Sequence, residues 1–152
     1  MWDKKEDFLF HVENQWYLRQ YAAIVADWAI GEEEMVLEDY LAKNERDKEG
    51  CPAEEHYVVT DRRLLHFNLT RREIDYRTVF VSDAIASISQ SFPVPERSED
   101  LSDYELMRAP NVEVTLKTGT SMTFEAPPLS EDKEPFRKFV LALTSLIAVR
   151  RV

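Results

Sequence analysis

Cysteine is almost missing from this sequence, since Cys51 is the only one. A single cysteine excludes a disulfide within the chain and a metal site built from several thiolates. Glycine is also scarce, with 3 residues in 152, and none of them forms a glycine-rich loop of the kind that cradles phosphates. No apolar run approaches the roughly 18 residues of a membrane-spanning helix. We therefore expect a cytoplasmic protein in a reducing compartment.

Basic residues are outnumbered, with 19 Lys and Arg against 29 Asp and Glu and a formal net charge of −10. This charge repels phosphate backbones and anionic lipid head groups, so it argues against nucleic acid as a partner and disfavours a membrane. The first residues are acidic and surround only a short apolar run, residues 8–10. That pattern differs from a signal peptide, which again predicts an intracellular protein.

An amphipathic helix is predicted over residues 14–30, because large apolar residues recur there at helical spacing and Gly31 follows as a stop signal. Aromatic residues dominate its apolar stripe. We interpret the stripe as a docking face for another chain or for the rest of this one. The predicted anchors are Trp16, Tyr17, Tyr21 and Trp28.

About seven strands are predicted between residues 32 and 126, from period-2 alternation of apolar and polar residues. The central hairpin has its turn at Thr60-Asp61, where the Asp61 carboxylate is expected to accept hydrogen bonds from the backbone N–H groups just downstream. The clearest strand pair flanks Thr118-Gly119. A bulge is expected near Ile85, because Ile85 and Ile88 are three residues apart. Residues 91–110 form a polar, acidic insertion, and a C-terminal amphipathic helix follows Ser130. We therefore predict a helical extension, 1–31, and one mainly β domain, 32–152.

A bent antiparallel barrel with its open end covered by the last helix would protect the edges of seven strands. YVVTDRRLL (57–65) resembles the "lTdrRLi" signature of bacterial pleckstrin-homology-like proteins. VSDAIASI (81–88) resembles the "ipLsdItsI" segment that follows it in that family. The resemblance extends over roughly residues 33–149. It implies a scaffold of the pleckstrin-homology (PH) or GRAM type that binds partners and has neither catalytic residues nor a cofactor.

Histidine and serine are the side chains of this sequence that could carry chemistry. His56 and His66 lie on the central hairpin, where they could face each other as a metal pair or be ordinary residues of the sheet surface. The second interpretation is favoured, and no metal site is predicted. A triad of Ser82, Asp83 and His66 is rejected because no glycine-flanked nucleophile is present. The chain is therefore not expected to be an enzyme.

Two arginine pairs, at 62–63 and 71–72, lie at opposite ends of one predicted strand, roughly 25 Å apart. They either pair with carboxylates of the chain or bind an acidic partner. In the eukaryotic relatives of the resembled family, a loop between the first strands carries a basic phosphoinositide site. The main hypothesis is a non-catalytic protein-interaction or self-assembly module. The alternative is a peripheral phospholipid-binding domain that would use Arg62, Arg63, Lys43, Arg46 and Lys48.

Overall fold

The computed structural model describes residues 4–13, 28–46, 48–70, 73–92, 110–127 and 132–150. Most of the predicted aromatic helix and of the acidic insertion lies outside these residues. Trp28 and Ala29, near the end of the predicted span, are helical, and Ile30 is not. This agrees with the predicted stop at Gly31.

The described chain is mainly β, as predicted. Seven strands are present, together with an N-terminal helix that the sequence pattern did not reveal. The elements are α1 (Lys5–Glu13), β1 (Val36–Arg46), β2 (Pro52–Thr60), β3 (Arg63–Leu69), β4 (Ile74–Val81), β5 (Ile85–Ser91), β6 (Asn111–Leu116), β7 (Ser121–Phe124) and α2 (Lys133–Arg150).

The strands pair in two separate antiparallel sheets, which corrects the prediction of one barrel. β1 to β4 form a first sheet in chain order, and β5 to β7 form a second. A 3-10 turn, Ser82–Ala84, interrupts the chain between β4 and β5. Because the pairing is divided between two sheets, the described strands do not form one closed barrel. The chain also divides into two compact units between Ser82 and Asp83.

In the second unit, the predicted hairpin and bulge are both confirmed. Gly119 has a φ of 93° in the turn between β6 and β7, a conformation that favours glycine. The register of β5 against β6 shifts between Ile85 and Ser87. Helix α2 buries Phe139, whose ring lies 5.2 Å from the ring of Phe124 on β7. None of the described helices combines the length and apolar character needed to cross a bilayer.

The turn between β2 and β3 differs in detail from its prediction. Asp61 and Arg62 form the turn, and the Thr60 hydroxyl, not the Asp61 carboxylate, accepts hydrogen bonds from the next backbone N–H groups, those of Arg62 and Arg63. Asp61 instead accepts a hydrogen bond from the N–H of Met35, at 3.1 Å. The turn is thus tied to the residue that precedes β1.

One face of the first sheet carries the core of the first unit. Val58, Leu65, Phe67 and Leu69 project from β2 and β3 in period-2 alternation. Helix α1 covers them with Phe8, whose ring centroid lies 5.0 Å from that of Phe67. The cluster is completed by Ala29, Ile30 and Val36. Both described parts of the N-terminal segment therefore belong to this core.

Truncation of Phe67 should measure how much this core stabilises the unit. Phe67 is 1% exposed, so Phe67→Ala should lower the free energy of unfolding by about 3–5 kcal/mol, through lost burial and the cavity left behind. Phe10, which is 70% exposed on α1, is the matched control, and Phe10→Ala should cost less than about 1 kcal/mol. Urea denaturation of both variants checks this. An equal loss of unfolding free energy in the two variants would contradict the burial of Phe67 in this core.

Candidate functional site

His56 lies inside the first unit and not on the sheet surface, which corrects the expectation from sequence. It is 1% exposed. His56 pairs with Phe67 across the sheet, whereas His66 pairs with Tyr57. Directly opposed residues project to the same face of a sheet. The two histidines are therefore on opposite faces, and the metal pair considered from the sequence does not exist.

The inner face of β2 is mostly polar although it is buried. Glu54, His56, Val58 and Thr60 are all buried, at every second position of the strand. Helix α1 brings His11 over this face, one turn after Phe8. Residues three apart lie on the same face of a helix, so the helix that buries Phe8 in the core also places His11 beside Glu54.

A histidine–carboxylate cluster, consisting of His11, Asp39, Glu54 and His56, results from this packing. Nδ1 of His56 lies 2.7 Å from Oδ1 of Asp39, and Nε2 lies 2.8 Å from Oε1 of Glu54. The same Glu54 oxygen lies 2.7 Å from Nε2 of His11. The two imidazole rings are 5.1 Å apart. One carboxylate oxygen thus lies between two imidazoles.

Charge is strongly favoured in this cluster. Burial opposes the charge on His56, but hydrogen bonds to Asp39 and Glu54 outweigh it and raise the pKa of His56 to about 9. Burial alone would raise the pKa of Glu54. The hydrogen bonds from His11 and His56 have the larger, opposite effect and lower this pKa to about 2. Without a bound ion, the buried His56 imidazole and the buried Glu54 carboxylate therefore form an ionic network at neutral pH.

A second buried carboxylate, Glu34, is held by Arg63. Nε of Arg63 donates to Oε2 of Glu34 and Nη2 donates to Oε1, both at 2.8 Å. The Thr60 hydroxyl donates to Oε2 at 2.6 Å. Arg63 also donates to the Ala29 carbonyl and to the Thr78 hydroxyl. In the described part of the chain, no buried side-chain nitrogen or oxygen lacks a hydrogen-bond partner.

These contacts control the ionisation of Glu34. Burial alone would raise its pKa, but the hydrogen bonds from Arg63, Thr60 and the Gly31 N–H lower it to about 2. The hydrogen bonds to Glu34 correspondingly raise the pKa of Arg63. The Glu34–Arg63 pair is thus a bidentate, largely buried salt bridge.

The predicted anion-binding residues are not brought together. Arg63 is engaged with Glu34, which favours the structural interpretation for this arginine, while Arg62 is exposed beside it. Lys43 and Arg46 lie at the end of β1 that meets the beginning of β2. Arg62 and Arg63 follow the other end of β2, nine residues along. Lys48 is exposed in the β1–β2 loop, and residues 71–72 lie outside the described residues.

Of the predicted aromatic anchors, only Trp28 lies within the described residues. Its side chain is 79% exposed. Trp16, Tyr17 and Tyr21 fall in the segment that the structure does not describe. His11, in contrast, was missed by sequence reasoning. The available signal was Phe8 and His11 at helical spacing, but nothing local indicated that Glu54 would lie beneath them.

Comparison of the chain with protein-family models, with curated protein sequences and with solved structures gives no match. The resemblance to PH-like proteins therefore stays a prediction from short segments of sequence.

The Glu34–Arg63 pair predicts a specific dependence of stability on pH. A carboxyl group with a pKa of about 2 in the folded protein and 4.5 when unfolded stabilises the fold above pH 4.5. That stabilisation is lost as the pH falls toward 2. A shift of this size corresponds to about 3 kcal/mol. Glu34→Gln should therefore destabilise the protein near neutrality and flatten the loss of stability between these pH values.

Urea denaturation of wild type and Glu34→Gln at several pH values below 7 measures this difference. Glu33→Gln, which changes an exposed neighbour, is the matched control and should retain the wild-type profile. A Glu34→Gln profile parallel to that of wild type would show that the pair does not contribute in this way.

Proposed function

We propose that this chain is a non-catalytic protein-interaction or self-assembly module built on a PH-like scaffold. Seven antiparallel strands in chain order, followed by a C-terminal helix, are the elements that the resemblance implies. The presence of a single cysteine is consistent with a reducing cytoplasm as its location.

The exposure of Trp28 is the main observation in support of a protein-interaction role. Its side chain is 79% exposed, whereas the next two residues, Ala29 and Ile30, are each 1% exposed. The Arg63 guanidinium also binds the Ala29 carbonyl. Trp28 is thus a large apolar side chain on a backbone that packing and a hydrogen bond hold in place. Tryptophans in such settings are frequent energetic anchors of protein interfaces, because they bury a large area with little loss of conformational entropy.

Helix α1 supports the same role. Phe8 is buried in the core, whereas Phe10, two residues later on the opposite side of the helix, is 70% exposed. The described parts of the N-terminal segment, residues 4–13 and 28–30, thus contribute Phe8, Ala29 and Ile30 to the core and expose the rings of Phe10 and Trp28. This is the arrangement expected of a segment that attaches to its own domain and also contacts a partner.

The net charge distinguishes the two kinds of partner. Two copies of a chain with a net charge of −10 repel each other, so added salt should strengthen self-association by screening this repulsion. Binding to a basic protein should weaken with salt for the opposite reason. The salt dependence of binding therefore identifies the class of partner.

Replacing Trp28 should disrupt the interaction and leave the fold intact. We expect Trp28→Ser to lower the mass of the associated species toward that of the monomer, or to weaken a protein complex by more than about tenfold, since interface tryptophans often contribute 2 kcal/mol or more. Size-exclusion chromatography with light scattering measures the first effect, and affinity capture followed by titration of the purified partner measures the second. Deletion of residues 1–30 is a poor test, because it removes the buried Phe8, Ala29 and Ile30.

The matched control is Leu141→Ser, which changes an apolar side chain on α2 that is 55% exposed. The Leu141→Ser variant should have the same associated mass and the same partner affinity as the wild-type protein. A wild-type chain that is monomeric at high salt and captures nothing that depends on Trp28 would refute the proposed role.

A further inference from the structure

We propose that His11, Glu54 and His56 form a binding site for one divalent transition-metal ion, of the class to which zinc belongs, and that this ion fastens α1 to the first sheet. The inference is independent of the proposed interaction role. It depends on the position of three donor atoms, on the side chain that orients one of them, and on access from solvent.

The donor atoms converge. Nε2 of His11, Nε2 of His56 and Oε1 of Glu54 all lie within 4.8 Å of one another. Bond lengths of about 2.0–2.1 Å place the ligand atoms of a tetrahedral zinc ion roughly 3.3 Å apart. The Glu54 oxygen is now 2.7 and 2.8 Å from the two nitrogens. Binding of an ion would therefore require the Glu54 oxygen to lie about half an ångström farther from both nitrogens than it does now.

Asp39 prepares His56 as a ligand. Nδ1–H of His56 donates to Oδ1 of Asp39 at 2.7 Å, and this fixes both the orientation of the ring and the nitrogen that faces the site. Metal-binding histidines commonly donate their other N–H to a carboxylate in this manner, which increases the basicity of the coordinating nitrogen. On binding, the metal would replace the proton on Nε2.

The donor set indicates the class of ion. Two imidazole nitrogens and one carboxylate oxygen suit zinc and its neighbours, whereas calcium and magnesium prefer oxygen ligands alone. Three protein ligands leave a fourth position for water. The His11 side chain is 37% exposed, while those of Glu54 and His56 are 4% and 1% exposed. An ion could therefore reach the site from solvent past His11.

The alternative is that the cluster is only an ionic network, in which the same side chains satisfy one another without an ion. A second histidine–carboxylate pair on this sheet, His66 and Glu55, distinguishes a metal site from a purely ionic network. His66 lies 2.7 Å from Glu55, as close as His11 lies to Glu54, but on the opposite face and outside the three-residue group that can coordinate a metal. His66 is therefore the matched control, because it contacts a carboxylate but has no third metal ligand beside it among the described residues.

Isothermal titration of zinc chloride into the full chain tests the proposal. Cys51→Ser should be the background, because it removes the one thiol. We expect one zinc ion per chain in this protein and in its His66→Gln variant. His11→Gln should weaken binding by more than tenfold, and Asp39→Asn by roughly ten- to hundredfold. Saturating zinc should raise the melting temperature except in His11→Gln.

A second measurement needs no substitution. The chain has three histidines, so ¹⁵N spectra of their rings are simple to interpret. Zinc should shift the Nε2 resonances of His11 and His56 and leave those of His66 in place. Absence of zinc binding, equal affinity in His11→Gln, or equal shifts of all three histidines would each overturn the proposal.

Discussion

Two buried carboxylates, Glu34 and Glu54, impose the main constraint on the first unit. A buried charge without a partner is costly, so each carboxylate requires a cation and hydrogen-bond donors at close range. Arg63 supplies these to Glu34, and His56 together with His11 supplies them to Glu54. Both networks connect the N-terminal part of the chain to the hairpin of β2 and β3. The position of that segment is therefore specified by charge as well as by apolar contact.

Apolar packing alone would allow the N-terminal segment to slide on the sheet, because a hydrophobic contact has little directional preference. The bidentate Glu34–Arg63 pair and the hydrogen bonds of Glu54 are directional. They are present in the arrangement in which Phe8, Ala29 and Ile30 are buried while Trp28 is exposed. Residues 4–13 and 28–30 are thus part of the folded unit, and Phe10 and Trp28 are exposed on them.

Prediction from the sequence succeeded where structure follows from neighbouring residues. The alternation along β2, β3 and β6, the glycine turn at Gly119 and the bulge near Ile85 are all local patterns. Prediction was wrong for His56, because the register that sets it opposite Phe67 depends on two strands at once. Helix α1 was missed because Phe8, Leu9 and Phe10 are consecutive, so the apolar residues of this short segment do not recur at helical spacing. Its place in the fold depends on Phe8 and on contacts distant in sequence.

By itself, the sequence determined the antiparallel strands, their turns and the C-terminal helix, because each of these depends on periodicity and turn chemistry within a few residues. Only the tertiary structure decided which charged residues would be buried and which would meet. His11 and Glu54 are 43 residues apart. Their contact requires a helix, a sheet face and a strand register to coincide, and no pattern confined to one segment contains that information.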